Sequence, residues 1–400
     1  MDPRPKFALR PAWASALLVY AGAMMFVGTT IPTPLYHVYQ EEMQFSSGVL
    51  TLIFAAYVLA LLPTLLLFGH VSDQIGRRPV LLIGFALAVA GAAIFATAQN
   101  LASLFLARAV QGVSTAIVSG ALIAALSELE EKRNLRKAAF LFSVANVGGA
   151  AIGPLFGGLI AQYGSPPTRL PFFACLLLML PYLALVAMPE TVAERRPPTM
   201  RLRIPYVPRA IRLEFLLASG ASLTAWAATS LFLTLAPSYV ATLLDLRNLA
   251  VGGGVVFLML GSSAVAQILL RGLRFRTTMI SGLLLLPIGL LGFVLAVPLS
   301  SIALLAPATL VAGAGQGLAF MGSLALVNEI APEDRRADVA STFYIVSYLG
   351  VSLPAIGIGF GTERIGLYAA VCVFALLVGG LALAFAGGII RHGPVAARKA

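Results

Sequence analysis

The sequence predicts an all-α polytopic membrane protein that crosses the bilayer twelve times. Of its 400 residues, 59% are hydrophobic and only 11% are charged. Apolar runs of about 18 residues or more indicate membrane spans, and these are helical because lipid offers backbone groups no hydrogen-bond partners. Residues 277–328 contain no Asp, Glu, Lys, Arg or His and are too long for one span, so we place a break at Val297-Pro298. The expected spans lie near residues 13–36, 47–69, 79–98, 102–126, 138–163, 169–188, 213–237, 248–270, 277–297, 301–327, 339–361 and 365–389.

The distribution of basic residues predicts that both termini face the cytoplasm. With that orientation, the inner segments hold 23 of the 27 Lys and Arg residues and the outer loops hold 3, while Arg108 lies inside a span. Cytoplasmic loops of membrane proteins carry an excess of Lys and Arg, which supports the assignment. The net charge of +11 follows from this bias and does not indicate nucleic-acid binding. We expect a monomer in a bacterial inner membrane.

Several other classes of protein are disfavoured by the sequence. Cys175 and Cys372 both fall within expected spans, so they suit neither a disulfide framework nor a zinc site. We find no Gly-rich phosphate loop, no His/Cys metal spacing and no nucleophile elbow. We therefore expect no enzymatic activity, no cofactor and no metal. The first apolar segment is too long for a signal-peptide core and is interpreted as a retained helix.

The chain divides into two halves around a hydrophilic linker. Residues 189–212 are rich in Pro and Arg and separate an expected bundle over 1–188 from a second over 213–400. Weak internal similarity indicates a duplication, because Gln111-Gly112 in the fourth span corresponds to Gln316-Gly317 in the tenth. The offset is about two hundred residues, as expected for parallel repeats.

The turn between the second and third spans concentrates charges and glycines. Glycine permits a tight turn and close helix approach, and an Asp can pair with an Arg or cap the following helix. We interpret the turn as a latch that holds helices together and releases them, although its basic residues could instead only fix topology. The latch positions are Gly69, Asp73, Gly76, Arg77 and Arg78.

The fourth span carries a polar face. The spacing of Arg108, Gln111, Gly112, Thr115 and Ser119 places them on one side of a helix. An Arg within the bilayer is costly unless it faces protein or water and finds acceptors, so we expect this face to point into the bundle. A purely structural alternative is an Arg that braces a helix through backbone carbonyls.

The fifth span carries a face of small residues with a proline within it. Small residues four apart let two helix backbones touch, and a proline removes one helical hydrogen bond and permits bending. Generic glycine packing is the alternative to a moving contact. The residues of this pattern are Gly149, Gly153, Pro154, Gly157 and Gly158.

These motifs together resemble those of the major facilitator superfamily of secondary transporters. The turn G-x-x-S-D-x-x-G-R-R is similar to the loop 2–3 signature of that family, and Arg108-Ala-Val-Gln-Gly to its fourth-span motif. The fifth-span pattern G-x-x-x-G-P-x-x-G-G is complete and is associated there with drug/proton antiporters. The resemblance covers essentially the whole chain, with specific motifs mainly in residues 28–191. It implies two pseudo-symmetric six-helix bundles that alternate by a rocker-switch, and it links Arg108, with Gln111 and Gly112, to ion coupling.

Candidate substrate-lining residues are polar or aromatic side chains and one helix-bending proline. Aromatic groups with few polar neighbours suit a bulky, partly apolar ligand, although ordinary packing explains each residue equally well. The candidates are Pro32, Asn146, Trp226, Gln316 and Tyr344.

The sequence lacks a mid-membrane carboxylate, since all 16 Asp and Glu lie at or near span ends or in loops. Many proton-coupled transporters keep one there, because burial raises a carboxyl pKa into the working range. The remaining titratable candidates are Asp73, Glu128, Glu214 and Glu329. Proton coupling therefore rests on the resemblance, and sodium coupling or uniport stays open.

The combined expectation is a secondary active transporter that exports small organic molecules, drug-like compounds or metabolites, in exchange for protons. Its expected partners are the small-molecule substrate, protons and the lipid bilayer. A proton-coupled importer or a facilitator of a sugar or other metabolite is the main alternative, which the fifth-span pattern disfavours. A non-transporting receptor or scaffold and a membrane-embedded enzyme are further alternatives.

Overall fold

The computed structural model describes residues 9–68, 71–129, 135–192, 196–197, 206–245 and 248–392. Within these ranges, twelve helices are long and apolar enough to cross a membrane and no β-strand occurs. The predicted fold class and number of spans are thus confirmed. The spans are α1 (Pro11–Met43), α2 (Ser47–Phe68), α3 (Arg77–Ala96), α4 (Leu101–Glu128), α5 (Lys137–Tyr163), α6 (Leu170–Ala187), α7 (Arg209–Thr234), α8 (Leu249–Leu269), α9 (Phe275–Leu295), α10 (Ile302–Ile330), α11 (Asp338–Ile365) and α12 (Leu367–Arg391).

Among the span ends, those of α1 and α11 differ most from the sequence-based expectation. Span α1 extends beyond residue 36, because the α-helix Pro11–Thr30 is followed by a 3-10 turn, Thr33–Leu35, and then by a second helix, Tyr36–Met43. Span α11 continues past residue 361 to Ile365 and ends at Gly366. The φ of Gly366 is 82°, a left-handed conformation that only glycine adopts without strain, and this stops the helix.

Polar side chains fix the starts of α4 and α10 in the same way. Asn100 accepts the backbone N–H of Ser103 at 3.0 Å, and the Ser103 hydroxyl completes a capping box. Ser301 accepts the backbone N–H of Leu304 at 3.2 Å. These caps satisfy amides that would otherwise lack partners at the helix start.

The chain forms two compact units. The first takes its described residues from Met1–Tyr39 and Ala56–Arg203, and the second from Gln40–Ala55 and Ile204–Ala400. Residues 40–55, which include the first part of α2, therefore belong with the second unit. The bundle boundaries at residues 188 and 213 stay a prediction.

The two units repeat one close helix crossing. In the first unit, a Cβ on Gly112 of α4 would meet the main-chain oxygen of Tyr57 in α2. In the second unit, a Cβ on Gly317 of α10, the counterpart of Gly112, would meet the main-chain oxygen of Ser263 in α8 at 2.5 Å. Each residue of the crossing in the first unit lies about two hundred positions before its counterpart in the second unit, as in a duplicated bundle. Glycine is needed at these points because two backbones touch there.

Replacing Gly112 with Val is expected to destabilise the protein by roughly 2 kcal/mol or more. The added side chain would overlap the α2 backbone, where Leu61 N also lies 3.1 Å from the Cβ position. The free energy of unfolding of the purified protein in detergent measures the effect.

Gly261→Val in α8 is the matched control, because a Cβ there would meet nothing within 4 Å. Both substitutions carry the same change in helix propensity. Equal destabilisation by the two would contradict the close α2–α4 crossing.

Candidate functional site

The first element of the site is a break in α1 that exposes backbone carbonyls. Pro32 is buried and lacks the N–H that would pair with the carbonyl of Gly28, four residues earlier. Pro34 does the same for the carbonyl of Thr30, and the chain turns through the 3-10 segment Thr33–Leu35. Main-chain oxygens at the end of the first α1 helix are therefore available to other donors.

The polar face of α4 supplies those donors. Arg108 is 2% exposed, and its Nη1 donates to the Thr29 carbonyl at 2.7 Å and to Gln111 Oε1 at 3.1 Å. Gln111 Nε2 donates to the Gly28 carbonyl at 3.0 Å. The face that the spacing predicted is buried at Arg108, Gln111, Gly112 and Thr115, and Ser119 is half-buried. The structure thus joins α4 to α1 through uncharged oxygens.

Two tyrosines complete the surroundings of the buried guanidinium. The Cζ atom of Arg108 lies 5.6 Å from the ring centroid of Tyr36 and 5.7 Å from that of Tyr57. Aromatic faces attract a guanidinium, more strongly where water is excluded. The sequence pattern predicted neither ring near Arg108. The position of Tyr36, two residues after Pro34, was the available signal, whereas nothing in the sequence marked Tyr57.

The glycine face of α5 packs on the same stretch of α1. A Cβ on Gly153 would meet the main-chain oxygen of Val27 at 2.6 Å, and one on Gly157 would meet that of Ile31 at 2.7 Å. A Cβ on Gly149 would overlap the main-chain oxygen of Ala23. Pro154 and Gly158 are buried beside them. The small residues predicted in the fifth span therefore touch the α1 backbone over two helical turns.

A short π-helix, Val144–Gly148, precedes this glycine face and includes Asn146, which is half-buried. Short π-helices are rare in proteins, and those that occur are frequently located at functional sites. The looser repeat of the glycine pattern in α11 behaves differently. A Cβ on Gly350 would meet the Leu223 oxygen of α7 at 2.7 Å, but one on Gly357 would meet nothing within 4 Å.

A second polar cluster lies in the turn between α2 and α3. Gly69 falls outside the described residues. Arg77 is buried and forms an ion pair with Asp73 in the short helix Val71–Ile75. Its Nη2 and Nε donate to the Glu128 carboxylate at the end of α4, at 2.8 and 3.2 Å. Bidentate contacts of this kind are among the stronger ion pairs in proteins.

Glu190, after α6, caps the start of α3. Its carboxylate accepts the backbone N–H of Arg77 at 2.8 Å and of Arg78 at 3.3 Å. Gly76 has a φ of 109°, and a Cβ there would overlap the Glu190 carboxylate. Glycine is therefore required for both conformation and space. The sequence pattern predicted neither Glu190 nor Glu128 as a member of this cluster.

The five candidate substrate-lining residues are divided between the units. Pro32 and Asn146 lie in the first, whereas Trp226, Gln316 and Tyr344 lie in the second. The Trp226 ring packs edge-on against Phe320, with centroids 5.4 Å apart. The amide oxygen of Gln316 accepts the Ser263 hydroxyl at 2.6 Å. Among the described residues, no group of three or more His, Cys, Asp or Glu is placed to hold a metal.

The twelve spans of the described residues, with buried polar groups and glycine-packed helix contacts, are the architecture of a polytopic membrane protein of the transporter class. The chain belongs to the Major Facilitator Superfamily, which it matches over residues 16–355. Membership of this family identifies the chain as a transporter and not an enzyme. It also implies a small-molecule substrate.

Several curated relatives are resistance proteins. The chain is 33% identical to the puromycin resistance protein pur8 of Streptomyces alboniger, over 44% of this chain and 36% of that protein. It is 31% identical to multidrug resistance protein D of Escherichia coli strain K12, over 48% and 47% of the two chains. The quinolone resistance protein NorA of Staphylococcus aureus strain Mu50 is 24% identical over 38% of each. The matches thus span between about a third and a half of the length of these relatives.

Solved structures of similar fold cover nearly the whole chain. A bacterial homologue of the human lysosomal transporter Spinster superposes with a TM-score of 0.73 at 14% identity, covering 98% of both chains. A peptide transporter, POT, superposes with a TM-score of 0.74 at 14% identity, covering 95% of this chain and 94% of the other. At this identity the likeness establishes the fold alone.

Arg77→Ala is expected to destabilise the protein by about 3 kcal/mol, because it leaves two carboxylates, of Asp73 and Glu128, without their shared cation. Arg78→Ala is the matched control in the neighbouring position. Within the part of the chain that the structure describes, the Arg78 guanidinium donates to the carbonyls of Val186 and Met188, at 3.4 and 3.3 Å, so a loss of about 1 kcal/mol or less is expected. Chemical unfolding of both variants measures the difference, and an equal loss would contradict the assigned role of Arg77.

Proposed function

We propose that this protein exports small organic molecules in exchange for protons, by rocker-switch alternating access. The observation that carries the proposal is the contact of the α5 glycine face with α1 at its helix break. The pattern behind that contact is complete in this chain and resembles the one found in drug/proton antiporters. The resistance proteins among the curated relatives agree with efflux of organic compounds.

The α1 break is the proposed moving contact. Glycine and main-chain atoms face each other there, so no long side chain has to repack when α1 and α5 slide or tilt. Arg108 and Gln111 hold the free carbonyls of Gly28 and Thr29 from the α4 side. During transport, the hydrogen bonds from Arg108 and Gln111 to the α1 carbonyls are proposed to change. Arg108, with Gln111 and Gly112, would thereby link ion movement to conformation.

The cluster around Arg77 is the proposed latch. Its two acidic partners differ in exposure, since the Asp73 side chain is 58% exposed and that of Glu128 is 24% exposed. An exposed ion pair is weak and exchanges readily. We propose that Asp73 releases and re-forms its bond to Arg77 during the cycle, while Glu128 and Glu190 keep Arg77 and Gly76 in place.

Proposed location and assembly follow from sequence and family. We propose a monomer in a bacterial inner membrane with both termini in the cytoplasm, from the distribution of 23 inner and 3 outer basic residues. Trp226, Gln316 and Tyr344 are proposed to contact the substrate in the second unit, and Pro32 and Asn146 in the first.

Proton flux in inverted vesicles tests the function. Vesicles that contain the protein are acidified inside and then receive lipophilic cations, antibiotics or sugars one at a time. An exporter releases protons when its substrate is added, so the lumen becomes more alkaline. We expect this release to be lost in Asp73→Asn and Arg108→Ala proteins that reach the membrane in normal amounts.

Each alternative gives a different result in the same vesicles. Compound movement without proton movement would replace the antiporter with a facilitator or another coupling ion. Proton-coupled movement of a compound out of the vesicle lumen, which corresponds to movement into the cell, would indicate an importer. A complete lack of flux with all compounds would favour a receptor or scaffold.

Gly153→Ala is expected to lower the transport rate at least tenfold. A Cβ at this position would overlap the Thr30 hydroxyl and lie 2.6 Å from the Val27 oxygen, so α1 and α5 would have to separate. Gly148→Ala is the control on the same span, because a Cβ there would meet nothing within 4 Å. Transport at the parental rate by the Gly153→Ala protein would argue against the moving contact.

A further inference from the structure

A cleft lies in the second unit where the starts of α7 and α9 meet the end of α12. Arg276 of α9 holds the end of α12, since its Nη2 donates to the carbonyls of Ile389 at 3.2 Å and Ile390 at 2.9 Å. The cleft is amphipathic, because polar and apolar side chains both line it. Its polar lining is Glu214, Arg276 and His392, and its apolar lining includes Leu217, Phe275 and Met279.

Each of the three helix ends adds at least one arginine that is exposed on the surface. These are Arg212 at the start of α7, Arg271 and Arg274 before the start of α9, and Arg391 at the end of α12. Within the ranges that the structure describes, no ion pair joins any of them to a carboxylate. Glu214 is the one acidic residue that lines the cleft. The meeting point therefore carries an excess of positive charge, which favours an anionic ligand.

Exposed leucines accompany the arginines of the α8–α9 turn. Leu269, Leu270 and Leu273 are 73%, 37% and 47% exposed, and they alternate with Arg271 and Arg274 along the chain. At a membrane interface, leucines of such a segment contact acyl chains while the arginine head groups stay at the level of the lipid phosphates. The turn thus offers an anion both positive charge and an apolar surface, which suits a lipid better than a water-soluble ion.

The corresponding turn in the first unit supplies its own anions. There, at the start of α3, Glu190 accepts the backbone N–H groups of Arg77 and Arg78, and Glu128 binds the Arg77 guanidinium. Span α9 is likewise the third span of its unit, but no side chain caps its start and its first turn contains no acidic residue. The second unit therefore keeps the cations of this turn without the carboxylates that pair with them in the first unit.

We propose that the cleft and the α8–α9 turn bind the head group of an acidic glycerophospholipid from the surrounding membrane. The lipid phosphate is held by Arg271 and Arg274, since guanidinium groups bind phosphate through paired hydrogen bonds. The hydroxyl groups of a phosphatidylglycerol head group can donate to the Glu214 carboxylate, and the acyl chains lie beside the exposed leucines. This site goes beyond the proposed function and does not depend on the substrate, the coupling ion or the direction of transport.

A tryptophan placed in the turn measures lipid binding at this position. Trp13 and Trp226, the two tryptophans of the chain, are first changed to Phe, and Leu273→Trp then provides the fluorescent reporter. The protein is reconstituted in phosphatidylcholine vesicles that contain a share of brominated phosphatidylglycerol or of brominated phosphatidylcholine, whose bromine atoms quench a tryptophan in contact with them. We expect phosphatidylglycerol to bind at residue 273 about fivefold more tightly than phosphatidylcholine, or more, as basic residues at an acidic membrane surface predict.

Leu299→Trp in the same background is the matched reporter. Leu299 is 62% exposed in the turn between α9 and α10, and residues 277–328 contain no charged side chain. The two lipids should therefore quench this tryptophan equally. An equal preference for phosphatidylglycerol at residues 273 and 299 would mean that the lipid is only enriched around the whole protein, and this would overturn the proposed site.

Single substitutions identify the groups that hold the lipid. Arg271→Gln and Arg274→Gln are each expected to lower the preference for phosphatidylglycerol at residue 273 about fivefold. Both side chains are exposed, so the fold should tolerate the changes, which thermal unfolding verifies. Arg364→Gln removes an equally exposed charge at the end of α11 and should leave the preference unchanged. A preference that survives both turn substitutions would contradict the proposal.

Inorganic phosphate distinguishes a lipid from a free anion. Millimolar phosphate added to the vesicles should leave the quenching by brominated phosphatidylglycerol unchanged, because a water-soluble ion gains nothing from the exposed leucines. Loss of the quenching would show a site for free phosphate and overturn the lipid assignment. Since no transported compound is present, a failure here leaves proton-coupled export untouched, and a failure of export leaves the lipid site untouched.

Discussion

The backbone of α1 between Ala23 and Ile31 is contacted by protein on two sides, and the site in the first unit depends on both contacts. On one side, glycines of α5 touch its carbonyls. On the other, Arg108 and Gln111 of α4 donate hydrogen bonds to the carbonyls that its break leaves free. Lipid supplies neither a hydrophobic driving force between helices nor hydrogen-bond partners, so close packing and satisfied polar groups have to hold them together. Both occur at this one stretch of helix.

Two buried arginines show how differently a cation can be kept in such a protein. Arg77 lies at the start of α3 and binds two carboxylates from other segments, those of Asp73 and Glu128. Arg108 lies within α4 and binds carbonyl and amide oxygens between two tyrosine rings. Carboxylates cost much to bury, whereas carbonyls at a helix break are already present and uncharged. The first arrangement suits a pair that breaks and re-forms, and the second suits a charge that stays.

Span α2 connects these features. Its end leads into the turn with Asp73 and Arg77, its middle crosses α4 at Gly112, and its start docks on α11.

Much of the fold was predictable from local pattern. Twelve spans follow from apolar length, because a helix is the only way for an isolated segment to cross lipid. The inward face of Arg108 follows from the cost of exposing it, and the close approach at Gly149, Gly153 and Gly157 follows from their spacing. The break after Thr30 was indicated by two prolines, although the continuation of α1 to Met43 was not.

What the sequence by itself determined was therefore which face of each helix is polar, small or bent, since these depend on residues three or four apart. Only the tertiary structure decided which helix meets that face. It brought Glu128 and Glu190 to the turn before α3, Tyr36 and Tyr57 to Arg108, and the start of α2 to Glu363. The physical reason is that helical periodicity fixes a direction around one axis, while the partner comes from a residue far along the chain and is chosen by how all the helices pack together.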